Sequence, residues 1–160
     1  FFNIQMKELE TWLNEYGESH QNATNKLIHW ICVPVIFFTI CGLLYSVKLP
    51  LLLSPTVSLN FGFIAMLLVI VYYFFLSWRL AIGMFLFGML CLILCNWIEL
   101  NFAIPLWQVA LFLFVLAWIG QFYGHKIEGK KPSFLKDIQF LLIGPAWLMS
   151  FVYHKLGIRI

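Results

Sequence analysis

The chain has 160 residues, 62% of them hydrophobic and 11% charged, with a mean hydropathy of +0.90. A soluble domain sits near 45–50% apolar and about 25% charged, so a soluble globular enzyme and a disordered chain are excluded, and most of the surface must face lipid. A net charge of +3 is too small to argue for a polyanion, so no nucleic-acid partner is expected.

Residues 1–18 alternate apolar and polar side chains at helical spacing, with Ile4, Leu9, Trp12, Leu13 and Tyr16 on one face. This predicts an amphipathic helix lying on the membrane or on the bundle. A first span follows over about 27–47, free of formal charge and holding His29. Pro50, Ser54, Pro55, Ser58 and Asn60 then read as a loop. Further spans are expected over about 61–78, 80–98 and 102–123, with the turn between the second and third inside 76–82. Segment 134–153 has only fifteen uncharged residues in a row, interrupted by Gly144-Pro145. That favours a re-entrant or surface helix over a fifth span. The expected fold is an all-α integral membrane protein, a single domain over 1–160 with four transmembrane helices.

Lys7, Lys26, Arg79, Lys126, Lys130, Lys131, Lys136, Lys155 and Arg159 fall on one side of this topology, and Lys48 alone on the other. The positive-inside rule therefore places the N-terminus in the cytoplasm. Trp30, Trp78, Trp97 and Trp107 fall near span ends, as an aromatic belt would place them. The expected host is a bacterial inner membrane or the endoplasmic reticulum. Cys32, Cys41, Cys91 and Cys95 lie in apolar runs without metal spacing and read as small buried hydrophobes.

The chemistry gathers at the cytoplasmic face. His20 and His29 flank the start of the first span, and His125 ends the fourth. Polar groups at membrane depth turn toward the bundle interior, and converging imidazoles suggest a metal. His20 and His29 are nine residues apart, half a turn out of phase on one straight helix, so His20 must come from the loop before it. Asn22 or Thr24 suits the N-cap of that helix. Asn22, Asn25 and His29 share a face, as do Trp118, Gln121, His125 and Glu128 if the helix runs through Gly124. Glu128 is placed to ligate the metal or to accept an imidazole N–H. Gly120 and Gly124 form a GxxxG that reads as close helix packing. His154 reaches the same face if 134–153 does not span. Lys26 and Lys126 are candidate partners for a substrate carboxylate. No P-loop, Rossmann fingerprint, nucleophile elbow or HExxH occurs.

Tyr16, His20, Asn25, His29 and Pro34, followed by Gln121-Phe-Tyr-Gly124-His125, Glu128 and Pro132, resemble the Mpo-like family over nearly the whole chain. Ser133 stands where that family usually has Ala, and Phe151 to His154 where members often carry Glu. The resemblance implies an Fe(II)-dependent dioxygenase that uses O2 to shorten a long-chain 2-hydroxy fatty acid by one carbon with release of CO2. It also implies His20, His29 and His125 as iron ligands. Two other classes remain open: a haem-binding electron carrier with His29 and His125 as axial ligands, and a non-catalytic lipid-binding or scaffold protein.

Overall fold

The computed structural model describes residues 2–129 and 138–160. Six helices and one hairpin follow in order: α1 (Phe2–Glu18), α2 (Ala23–Tyr45), β1 (Lys48–Ser54), β2 (Val57–Asn60), α3 (Phe61–Leu76), α4 (Trp78–Asn101), α5 (Leu106–Glu128) and α6 (Ile138–Lys155). Helices α2, α4 and α5 are long and apolar enough to cross a membrane; α3 is apolar but shorter. Their outer faces carry exposed Leu67, Phe74, Leu86, Ile93, Phe112 and Ile119, as a lipid-facing surface does. Trp30, Trp78, Trp97 and Trp107 also point outward.

Helix boundaries follow from local chemistry. Asn22 caps α2, its side chain accepting the N–H groups of Thr24 and Asn25 at 2.9 and 3.3 Å. Ser77 alone joins α3 to α4. Its extended backbone breaks the helix, its N–H donates to the Tyr73 carbonyl at 2.8 Å, and its Oγ accepts from Leu80. α5 runs unbroken through Gly124 to Glu128, beyond the expected end at 123. It stops at Gly129, whose left-handed backbone (φ 74°) lets its N–H return to the carbonyls of His125 and Lys126.

The loop expected over 48–60 is instead an antiparallel hairpin turning at Pro55-Thr56, so the fold is helical with one small sheet. The alternation Val57-Ser-Leu59-Asn60 suits a strand, and Asn60 then caps α3 by accepting from Phe63. Lys48 anchors the hairpin base to α4 through an ion pair with Glu99 at 2.7 Å. The cysteines Cys32, Cys41, Cys91 and Cys95 are free and buried.

Packing brings the site together. α2 and α5 meet along small residues: a β-carbon at Gly120 would lie 2.7 Å from Cys32 Sγ, and one at Gly124 would collide with Asn25 Oδ1. The helix α1 lays Leu9, Trp12, Leu13 and Tyr16 on the bundle. α6 continues through Gly144-Pro145, where a break was expected, and Ile143 to Leu148 are all buried. Its middle packs against α1, α2 and α4, while Phe151, Val152 and His154 near its end are exposed. The hydroxyl of Tyr73 donates to the Leu142 carbonyl at 2.6 Å and that of Tyr153 to the Arg79 carbonyl, fixing α6 against α3 and α4. Lys130, Lys131, Pro132, Ser133 and Lys136, which the sequence reading uses, lie outside the described residues.

Candidate metal centre

Three elements each deliver one imidazole to a common point. His20 comes from the connection between α1 and α2, His29 from the second turn of α2, and His125 from the last turn of α5. All three are buried. Their ring centroids are 4.1 Å (His20–His29), 5.2 Å (His20–His125) and 4.9 Å (His29–His125) apart, each pair near perpendicular. One ring nitrogen from each lies within 4.8 Å of the others.

The hydrogen bonds around the rings set their tautomers. His20 Nδ1 lies 2.6 Å from the Tyr16 carbonyl and His29 Nδ1 lies 2.9 Å from the Asn25 carbonyl. A carbonyl can only accept, so each Nδ1 carries the proton and each Nε2 keeps its lone pair. His125 Nδ1 is buried without a hydrogen-bond partner among the described residues. A buried imidazole nitrogen left in this state within a cluster of three histidines fits a divalent transition metal. Three neutral imidazoles leave further coordination positions for other ligands and suit iron and zinc alike.

A second layer orients the first. The carboxylate of Glu128 accepts the backbone N–H groups of Gln21 and Asn22, both at 2.9 Å, and the Asn25 side-chain amide at 3.0 Å. It thus pins the loop that carries His20 and places an anion at the N-terminus of α2. Asn25 is fully buried; its amide also reaches the Ser19 carbonyl at 3.3 Å. The ring of Tyr16 stacks on His20 with centroids 4.3 Å apart and planes at 13°. Burial pushes the Tyr16 phenol well above its ordinary pKa, so it stays protonated at neutral pH.

The histidines open on a cavity of about 50 Å³, whose walls include Tyr16, Gln121, Trp118, Phe37 and, from α6, Leu141 and Gly144. Gln121 is buried and lines the cavity, so its amide is placed to meet a ligand there. Residues expected at the site therefore divide. His20, His29, His125, Tyr16 and Gln121 meet at the cavity; Asn25, Asn22 and Glu128 form the hydrogen-bonded shell behind it. His154 is exposed near the end of α6 and is not grouped with the three histidines. Lys26 and Lys126 do not line the cavity. Trp147, whose ring lies 5.3 Å from His20 and 5.4 Å from Tyr16, escapes the sequence reading, as do Phe140 and Gly144. Their only signal is the apolar run of α6, which does not say what it packs against.

A family model described as "2-hydroxy-palmitic acid dioxygenase Mpo1-like" matches residues 6–156. The chain is similar to the 2-hydroxy-palmitic acid dioxygenase MPO1 of Saccharomyces cerevisiae, with 33% identity over 154 residues that cover 94% of this chain and 82% of the relative. No solved structure matches it.

Proposed function

The chain belongs to the Mpo1-like family, and we propose that it is an Fe(II)-dependent dioxygenase of long-chain 2-hydroxy fatty acids. The reaction is RCH(OH)COOH + O2 giving RCOOH + CO2 + H2O. It balances without an external reductant, because the substrate supplies all the electrons that O2 takes up. The observation that carries this reading is the buried His20, His29 and His125 cluster, built of neutral imidazoles in a chain with this kinship.

His20, His29 and His125 would hold the iron, which supplies a centre that binds the substrate's hydroxyl and carboxylate and passes electrons to O2. The protein's own groups do the rest. The Tyr16 and Asn25 carbonyls keep two imidazoles in the tautomer that presents Nε2. The Gln121 amide offers a donor and an acceptor to the substrate's polar head. Tyr16, Trp118, Phe37 and Leu141 give the cavity apolar and aromatic walls. A cavity of about 50 Å³ among rings this close has no slot for a porphyrin, so the geometry gives the haem alternative no support.

The same reading has four spans, α2 to α5, with the N-terminus and histidines at the cytoplasmic face. The skewed lysine and arginine distribution supports it. The test is metal content of detergent-purified wild type beside His125→Ala, followed by release of labelled CO2 from a carboxyl-labelled 2-hydroxy acid under O2. Near-stoichiometric iron, lost in the variant, with labelled CO2 from wild type, is the expected result. Zinc without turnover defeats the oxygen chemistry. No metal after anaerobic reconstitution with Fe(II) leaves the lipid-binding or scaffold reading.

A further inference from the structure

We infer that the substrate's acyl chain passes from the histidine cluster between Phe37 and Leu141 into a second cavity, and that the far end of this cavity limits the chain length accepted. The inference rests on the 2-hydroxy acid reading above.

The second cavity, about 150 Å³, lies between α2, α3 and α6 and is lined by apolar side chains, Cys41 and Gly62. It shares two wall residues, Phe37 and Leu141, with the histidine cavity. Both are half-buried side chains with rotamer freedom, and they form the partition between the polar and the apolar chamber. A third cavity, bounded by Trp30, Met84 and Met149 among others, shares no wall residue with the histidine cavity and offers no such continuation.

The walls run in one direction. His29, Val33, Phe37, Cys41 and Leu44 recur at helical spacing and form a single stripe down α2. From His29 to Leu44 that stripe is about 22 Å long at the rise of an α-helix, comparable with an extended long-chain acyl group. The apolar chamber gives a methylene chain partners and leaves no polar group stranded, and each buried methylene is worth about fourfold in affinity. At the far end α2 and α3 pack closely. A β-carbon on Gly62 would lie 3.0 Å from Tyr45 Cα and 2.9 Å from Asn60 Oδ1, so the start of α3 abuts the end of α2 there. Ala65 is a small residue in the α3 wall, and Leu44 stands on α2 near the same end.

Two measurements on the full chain in detergent test this. First, wild type is photolabelled with a long-chain 2-hydroxy acid carrying a diazirine on its last carbon. Label is expected on the segments holding Leu44 and Ala65–Met66; label confined to outward-facing residues such as Leu67 and Phe112 would overturn the channel. Second, Ala65→Phe is expected to lower the ratio of long-chain to short-chain kcat/KM by about tenfold or more, with bound metal unchanged, and Leu44→Ala to raise it. Unchanged ratios in both variants, with an active wild type, defeat the channel and leave the dioxygenase reading standing. A metal-loaded wild type inactive on all 2-hydroxy acids defeats that reading instead, and the photolabel then decides alone whether the chamber takes an acyl chain. If Ala65→Phe does not fold, the wild-type label and Leu44→Ala carry the test.

Discussion

Glu128 and Asn25 meet side chain to side chain, carboxylate to amide, at 3.0 Å. Asn25 in turn holds His29 Nδ1 through its main-chain carbonyl, and Glu128 holds the backbone just after His20. One carboxylate at the end of α5 thereby ties together the segments that carry the three imidazoles. Glu128 is a positioning residue. Glu128→Ala removes two charge-assisted hydrogen bonds to exposed backbone N–H groups and one to the buried Asn25 amide, and should destabilise the protein by about 1–2 kcal/mol. Metal affinity should fall about 10–100-fold, the usual effect of losing a group that orients ligands. Competition dialysis against a metal indicator reads this, and Glu128→Gln, which keeps one acceptor, should recover part of it.

Alanine at His20, His29 or His125 should each remove the bound metal, whereas His154→Ala should retain it, because His154 is exposed and apart from the cluster. Elemental analysis of the four variants after identical reconstitution checks the contrast. Metal loss in His154→Ala comparable with the other three would show that the ligand set extends to α6.

The grouping of the histidines was legible because helical phase is arithmetic. Nine residues cannot put His20 and His29 on one face, so His20 had to leave the helix, and it sits in the loop after α1. The stripe from Trp118 to Glu128 was legible in the same way. Depth along a span does not fix azimuth, however, and Lys26 and Lys126 share the level of the histidines without lining their cavity. The role of Asn25 was half visible: its helix face could be read, but its main-chain carbonyl, which holds His29, carries no side-chain signature. The burial of α6 was hidden because composition reports that Ile143 to Leu148 are apolar, not whether lipid or protein covers them. The hairpin was obscured by Pro50 and Pro55, which mark turns equally well with or without paired strands.

The two glycines of the GxxxG should respond differently to alanine. At Gly120 the new methyl meets Cys32 Sγ at 2.7 Å, and Cys32 is not among the residues that line the histidine cavity. Overpacking there should cost about 1–3 kcal/mol, partly offset by the roughly 1 kcal/mol helix preference of Ala over Gly. At Gly124 the methyl runs into Asn25 Oδ1, and Asn25 is held by Glu128 and the Ser19 carbonyl. Gly124→Ala should therefore lower both thermal stability in detergent and metal affinity, while Gly120→Ala lowers stability alone. Equal metal affinity in the two variants would sever the link from α5 packing to the site.

Tyr16 separates its ring from its backbone. The carbonyl that orients His20 survives any side-chain change, but the stacked ring does not. Tyr16→Phe should keep the stack and bind metal like wild type. Tyr16→Ala opens a hole between His20, Trp147 and Phe140 and should cost about 3–5 kcal/mol, as other large aromatic truncations do. The hydroxyl shows itself only at alkaline pH. Burial raises the folded-state pKa of Tyr16 above its unfolded value near 10. Its stabilising contribution is then fully present below about pH 10 and is lost as pH rises, because the unfolded chain gives up the proton first. Denaturant titrations across pH 9–11 should show wild type losing stability faster than Tyr16→Phe. Parallel pH profiles would mean that the phenol reaches water in the folded protein, and the ring would then pack less closely against His20 than the structure has it.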